Sequence, residues 1–480
     1  MYTLMIIVFV LGYLAIALEH PIKIDKAASA LITGVLCWAI YILFYDSILG
    51  VNLSQTINEL ISDGNLIKWL QEDLINYKEH ISESKVATLD DAAETGGIIT
   101  HSITHNLLHH LSEIASILFF LLGAMTIVEL IDAHEGFAVI TDRITTTNKV
   151  KLMWILCILT FFFSAALDNL TTAIVMAALI KKLIKGKEDL WLFAGMIVIS
   201  ANAGGAWSPI GDVTTIMLWI GGQVTASNIV IKVILPSLVC LIVPLLILTF
   251  TLKGNITSKL GMVEKEHLIN PTTATERNLV FFLGVAMLLF VPVFKTVTHL
   301  PPFMGILLGV GVMWVTTELL HRNKNQEEKS EHTVIGVLQK VDTPSVFFFL
   351  GILIAVAALQ SAGHLLQLAT LLDNSIGDIY IINIIIGLLS SIVDNVPLVA
   401  GAMGMYDMNT YPQDHTFWEF LAYCAGTGGS CLIIGSAAGV AIMGILKIDF
   451  IWYLKRISLL ALSGYLAGAG TYYVMVKYLM

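Results

Sequence analysis

Hydrophobic residues along the chain fall into continuous runs of about twenty, parted by short polar links. A helical run of that length spans the hydrocarbon core of a bilayer. The runs are solid rather than alternating, which excludes a β-barrel. They predict uninterrupted spans over 3–19, 27–45, 112–131, 229–250, 278–295, 303–320, 345–362 and 457–476. Four more apolar segments, 152–180, 189–220, 379–405 and 417–445, carry polar or helix-breaking residues in their middles. The expected fold class is an all-α polytopic membrane protein.

The breaks repeat. Ser164-Ala165-Ala166-Leu167-Asp168-Asn169-Leu170-Thr171-Thr172 interrupts the first of these four segments, and Ser390-Ser391-Ile392-Val393-Asp394-Asn395-Val396-Pro397 interrupts the third. A carboxylate at mid-bilayer costs roughly 2.5–3.5 kcal/mol on insertion scales. Two such Asp-Asn pairs imply a use; the plainer reading is a polar pair that only caps a helix break. The second segment is broken across Ser200–Asp212 by Gly204, Gly205, Pro209 and Gly211, and the fourth across Gly426-Thr427-Gly428-Gly429-Ser430. Gly and Pro unwind a helix. Unwound backbone at membrane depth is tolerated only where it lines protein or a cavity.

The two halves correspond. Phe119–Gly123 resembles Phe347–Gly351, 228 residues on, and Asp168-Asn169 maps onto Asp394-Asn395, 226 on. Gly204, Gly205 and Gly211 map onto Gly428, Gly429 and Gly435, 224 on. Trp38 pairs with Trp314 only at an offset of 276, and the polar segment 46–110 absorbs the difference. That segment holds ten acids between Asp46 and Glu94, and Leu66, Ile67, Leu70 and Leu74 predict a short amphipathic helix on the membrane surface. Lysines flank 152–180 (Lys149, Lys151, Lys181, Lys182), whereas acids flank 379–405 (Asp373, Asp378, Asp407, Asp414). Lys and Arg favour the cytoplasmic side, so the two broken segments read as re-entrant hairpins entering from opposite faces. The expected organisation is an inverted repeat of five spans plus one re-entrant hairpin each, with two interrupted helices. Its parts are the first two spans (1–45), an extracytoplasmic acidic insertion (46–110), the rest of the first repeat (111–252), a cytoplasmic linker (253–277) and the second repeat (278–480).

Composition sharpens this class without changing it. Residues are 56% hydrophobic and 13% charged, about half the charged share usual in soluble domains. Cys37, Cys157, Cys240, Cys424 and Cys431 lie in apolar stretches without CxxC spacing and read as small core residues. The N-terminus has no basic region and no small-residue cleavage site, so it reads as a first span and not as a removable signal. No cofactor, no nucleic-acid partner and no enzymatic activity are expected.

The candidate chemistry lies at the breaks. The first half supplies Ser164, Asp168, Asn169, Thr172, Asn202, Asp212, Thr214 and Thr215; the second supplies Ser391, Asp394, Asn395, Thr427, Ser430 and Ser436. Carboxylate, amide and hydroxyl oxygens suit hard cations, and no Lys, Arg or His lies at the centre of a broken segment. The cargo therefore reads as a small cation such as Na⁺, with a proton competing for the same carboxylates. Asp212 also reads as a plain helix N-cap in Gly211-Asp212-Val213-Thr214. His101, His105, His109 and His110 with Glu113 cluster before the third span. His109, His110 and Glu113 are candidate pH sensors, and the same spacing is that of an exposed polar helix face.

Ser164–Thr172, Ser200–Thr215, Ser390–Pro397 and Gly426–Ser430 resemble the motifs of NhaD-type Na⁺/H⁺ antiporters in the ion-transporter superfamily, over roughly His109 to the end. The resemblance implies exchange of Na⁺ or Li⁺ for H⁺ in a bacterial cytoplasmic (inner) membrane, active at alkaline pH. It implies scaffold helices around a transport domain with two opposed hairpins, commonly as a homodimer. It carries ion-binding roles to Ser164, Asp168, Asn169, Asn202, Asp212, Thr214, Thr215, Asp394 and Asn395. The rival reading is a Na⁺-coupled symporter of a small anion such as a carboxylate, which the same superfamily contains. Such sites favour Ser-Asn-Thr at hairpin tips, where this chain has Asp-Asn. An intramembrane aspartyl protease would need Gly-x-Gly-Asp, and Asp212 instead follows Pro209-Ile210-Gly211.

Overall fold

The computed structural model describes residues 2–17, 19–44, 92–141, 146–256, 272–324, 332–392 and 394–478. The amphipathic helix expected at 66–75 lies outside them, as does most of the 46–110 segment. The described residues are all-helical, joined by turns and one isolated bridge between Asn148 and Asn255. Nine described helices are long and apolar enough to cross a membrane, or ten if one bent pair counts as a span. Phe250, Leu459 and Val297 are among the many large apolar side chains left exposed on them. Exposed apolar surface of this extent suits lipid.

The chain divides into two compact units. The first comprises residues 1–115 and 344–371, and the second 116–343 and 372–480. In the first unit α1 (Tyr2–Ala17) packs on α2 (Lys26–Leu43), and the start of α3 (Ala92–Ala133) belongs with them. Two hydrogen bonds tie α2 to the helix that begins at Thr343. Trp38 Nε1 donates to the Ile354 carbonyl at 2.9 Å, and Tyr41 Oη donates to that of Ser361 at 3.0 Å. The span expected at 112–131 is the C-terminal part of α3, which runs on from Ala92 without a stop, so the acidic segment ends as helix.

The second unit holds the four broken segments. α4 (Lys149–Leu167) and α5 (Asn169–Leu183) meet at Asp168, and α6 (Lys187–Ala206) and α7 (Val213–Ile220) are parted by residues 207–212. α8 (Ala226–Thr251), α9 (Ala274–Thr298) and α10 (Pro302–His321) follow. After α11 (Thr343–Ser361) and α12 (His364–Ser375) come α13 (Ile379–Leu389) and α14 (Asn395–Met405), the second pair around an Asp-Asn break. α15 (Thr416–Gly428), a 3₁₀ turn and α16 (Ala437–Leu446) form the second unwound helix. α17 (Phe450–Arg456) turns away from α16 by 118°, and α18 (Ser458–Tyr478) closes the chain. In the span-length window of α6, 83% of residues are buried, against 28% for α9 and for α10. α6 therefore runs through the interior of the second unit, and α9 and α10 lie at its outside.

Matched contacts hold the two sets of broken helices. Ser164 Oγ donates to the Ala201 carbonyl at 2.5 Å, and Ser390 Oγ to the Ala425 carbonyl at 3.1 Å. A Cβ on Gly204 would lie 2.2 Å from the Phe161 carbonyl oxygen, and one on Gly428 would lie 2.0 Å from that of Gly387. No side chain fits at such separations, so glycine alone lets each unwound helix lie backbone-to-backbone on its neighbour. Asp212 and Ser436 are the N-caps of α7 and α16, with nearly equal dihedrals of φ −148°, ψ 145° and φ −145°, ψ 152°. Each of these pairs has the spacing, 226 or 224 residues, found for the sequence motifs.

Candidate cation-binding site

The first break is sharp because one residue ends one helix and begins the next. Asp168 adopts φ +84°, ψ 160°, a region that side-chain-bearing residues seldom enter, at a cost of order 1–3 kcal/mol. Its carboxylate offsets part of that cost by capping α5: Oδ1 accepts from Thr171 N and Oδ2 from Thr171 Oγ1, both at 2.8 Å. The second break is unstrained at its acid. Asp394 has φ −48°, ψ 138°, and Oδ1 accepts from Val396 N at 3.2 Å. The two tips are alike in sequence and unlike in backbone.

Each capped helix projects its first residue inward, and both point at Asp212. Asn169 Nδ2 donates to Asp212 Oδ2 at 2.7 Å and to Asn202 Oδ1 at 3.1 Å. Asn395 Nδ2 lies 3.4 Å from both oxygens of Asp212. Asp212 Oδ1 also accepts from Thr214 N and Thr214 Oγ1 at 2.9 Å, and Thr215 Oγ1 donates to the Asp212 carbonyl at 2.8 Å. The N-cap reading of Asp212 holds, and its second oxygen belongs to the network. Asn202 continues the network into the second half, donating to Ser430 Oγ and Ser436 Oγ, each at 2.9 Å. Asn169, Asn202, Asp212, Asn395, Ser430 and Ser436 are all buried.

The other expected residues stand apart from this chain of bonds. Ser164 binds the α6 backbone. Ser391 and Thr427 return their hydroxyls to their own helices, at the Leu388 and Tyr423 carbonyls. His109 and Glu113 are exposed on α3, 3.6 Å apart, while His110 is half-buried with Nε2 3.3 Å from Ser361 Oγ. These three lie in the first unit, whereas Asp212 and its partners lie in the second.

The donor set suits a hard cation. Among the described residues no group of three or more His, Cys, Asp or Glu side chains is placed to hold a metal ion. Asp212 brings carboxylate oxygens together with amide and hydroxyl groups, the hard donors that a small cation takes. Thr172, one turn on from Asn169, has a buried hydroxyl with no hydrogen-bond partner, a spare oxygen on the same helix face. A cavity of about 690 Å³ borders the first break, walled by Phe162, Ala165, Leu167, Trp207, Ile210 and Phe281. Its lining is apolar, so it flanks the network without being the ion site.

Two buried polar groups escaped the sequence reading. Glu419 lies two residues inside the apolar segment that begins at Phe417, and the segment was read as a span without it. His134, His321 and His332 meet in the second unit, with His134 Nε2 2.8 Å from His321 Nε2 and ring centroids 5.0–5.5 Å apart. His134 Nδ1 is 2.7 Å from the Leu130 carbonyl, and burial holds this imidazole well below its usual range, at about 4. No local motif links residues so far apart in the chain; only a lone histidine at the end of an apolar run marks each of the first two.

The profile of the CitMHS family, described as citrate transporter, matches residues 13–419. "Sodium/proton antiporter 1" of Arabidopsis thaliana is 46% identical over 404 residues, which cover 84% of this chain and 69% of that protein. "Na(+)/H(+) antiporter NhaD" of Alkalimonas amylolytica is 28% identical over 90% of this chain and 89% of its own. The NhaD of Vibrio cholerae is 30% identical over 72% of this chain and 76% of its own. The chain thus belongs to the CitMHS family of membrane transporters and, within it, stands with the NhaD-type sodium/proton antiporters.

Proposed function

We propose that this chain is a secondary transporter that exchanges Na⁺, or Li⁺, for H⁺ by alternating access. The observation that carries the reading is Asp212, one buried carboxylate approached from two helix breaks by Asn169 and Asn395, with no lysine or arginine among the described residues bonded into the network. Such a group holds a proton or a cation but not both well, so loading either one expels the other. Each asparagine carries an NH₂ donor and a carbonyl acceptor on one amide. Half a turn of Asn169 or Asn395 replaces the donor facing Asp212 by an oxygen for Na⁺. Asp168 and Asp394 set the helix ends that aim these amides. Ser164, Thr214, Thr215, Ser391, Thr427 and Ser430 complete the ion's oxygen shell in other states of the cycle.

Alternating access needs a scaffold in which one set of broken helices rocks against another. The matched contacts of Ser164 with Ser390 and of Gly204 with Gly428 support an inverted repeat with two opposed re-entrant hairpins. On this reading the 46–110 insertion is extracytoplasmic, 253–277 is a cytoplasmic linker, His109, His110 and Glu113 sense pH, and the protein works as a homodimer. The NhaD relatives favour a bacterial cytoplasmic membrane, and the Arabidopsis relatives make a plant membrane the alternative.

Everted vesicles carrying a ΔpH-sensitive dye test the reading. Adding Na⁺ or Li⁺ should collapse a preformed ΔpH in vesicles with the protein and not in vesicles without it. An unchanged ΔpH with every alkali cation would refute exchange. The family's description as citrate transporter favours a second reading, Na⁺-coupled uptake of a carboxylate. Na⁺-dependent uptake of labelled citrate, without ΔpH collapse, would select it.

A further inference from the structure

Glu419 is a buried carboxylate outside the network around Asp212. It lies in the first turn of α15 with 3% of its surface exposed. Its partners are neutral. Asn228 Nδ2, from α8, donates to Oε1, and Tyr472 Oη, from α18, lies 2.6 Å from Oε2. Tyr380 of α13 and His415, the N-cap of α15, are the other titratable groups close enough to interact with it. Among the described residues no lysine or arginine pairs with it.

The bonding around Tyr472 suits two protonation states. A phenol has one proton to give and can also accept. Tyr472 Oη lies within reach of two acceptors, Glu419 Oε2 at 2.6 Å and the Thr416 carbonyl at 3.3 Å. With Glu419 ionised, Tyr472 donates to it. With Glu419 protonated, the carboxyl donates to Tyr472, whose own proton turns to Thr416. Neither state leaves a buried polar atom without a partner, and neither needs a heavy atom to move.

Its position relates it to the ion site. Glu419 and Gly426 are seven residues apart on α15, two turns, and so share one face about 10 Å from end to end. At Gly426 that face meets the network: a Cβ there would lie 3.9 Å from Asp212 Oδ2.

We propose that Glu419 is a second proton-binding site, which takes up and releases a proton on the route between solvent and Asp212. The proposal rests on the exchange reading above. Two measurements on the purified full-length protein test it. The first is a pH titration of the infrared carbonyl stretch of protonated carboxyl groups, in wild type and Glu419→Gln. The glutamine accepts from Tyr472 as before, and the Asn228 amide can turn to meet it. The variant should lose one carboxyl's share of the titrating band, and the pH midpoint of Na⁺-driven exchange in liposomes should shift. A purely structural Glu419 predicts the same exchange profile in both proteins. An unchanged band or an unchanged profile overturns the proposal. If Glu419→Gln does not reach the membrane, Tyr472→Phe serves: it keeps the carboxyl but removes the donor to its ionised form, and should move the band's midpoint to higher pH. No movement there also overturns the proposal. Should the wild type exchange nothing, the function proposed above fails, while the infrared titration still decides whether Glu419 binds a proton.

Discussion

The side-chain amide of Asn169, the first residue beyond one helix break, donates to Asp212 Oδ2, at the start of another, at 2.7 Å. The contact joins two discontinuous helices through a single carboxylate. Asp212 therefore cannot change its charge or its ligand without changing what holds α5 to α7.

Replacing the central carboxylate separates charge from shape. Asp212→Asn keeps the cap on α7 and the volume but loses the charge and the proton. It should abolish Na⁺-induced ΔpH collapse, by more than about a hundredfold, while the protein still inserts. Asp168→Asn keeps one capping oxygen but loses the second acceptor for Thr171, so it should weaken exchange through the aim of Asn169 without abolishing it. Wild-type exchange in either variant removes that residue from the mechanism.

The glycine contacts make a stability prediction. Gly204→Ala and Gly428→Ala force a methyl group against backbone at 2.2 and 2.0 Å, and backbone cannot swing aside as a side chain can. Each should destabilise by about 1–3 kcal/mol or more, read as a lower unfolding temperature in detergent. Gly401→Ala, inside α14 where a Cβ meets nothing within 4 Å, is the control and should be neutral or stabilising by up to about 1 kcal/mol.

The buried histidines link stability to pH. His134 has a folded pKa near 4 against 6.5 for a free imidazole, because burial disfavours its charged form. The unfolded chain therefore binds the extra proton first. The contribution, up to about 3 kcal/mol, is whole above pH 6.5 and lost as pH falls towards 4. The unfolding temperature should drop through that window, and less steeply in His134→Gln. Equal slopes would mean that His134 titrates normally in the folded protein.

Topology tests the inverted repeat. The five native cysteines are buried, so an added one gives a readable signal. A cysteine beside Lys185 should react with an impermeant reagent only from the cytoplasm, and one beside Asp407 only from outside. Labelling of both from the same side contradicts opposed hairpins.

The helix breaks were legible because a charge or a glycine pair in an apolar run is a strong departure. Asp168-Asn169 and Asp394-Asn395 stand out for that reason, as do Gly204 and Gly428. The division of labour among the acids was not legible. Asp168 and Asp394 turn to their own helix ends, and Asp212 faces inward, because backbone direction at each break decides where a short side chain reaches. The 118° turn between α16 and α17 was also hidden. It is made at Lys447, which takes φ +50°, and nothing in Ile445-Leu446-Lys447-Ile448 marks the turn. Ser391 and Thr427 have the right chemistry at the right places, yet in this state each satisfies a carbonyl of its own helix.

Competition at Asp212 is the centre of the account, and the pH dependence of Na⁺ affinity tests it most directly. Half-maximal Na⁺ for exchange should be measured at several pH values in wild type and in a His109→Ala/His110→Ala variant. With one shared site, each proton displaced weakens apparent Na⁺ affinity by up to about tenfold per unit fall in pH, in both proteins. A pH sensor at His109 and His110 alters maximal rate and leaves affinity alone. An affinity that stays constant across the active pH range would contradict the shared site, and with it the exchange mechanism built on Asp212.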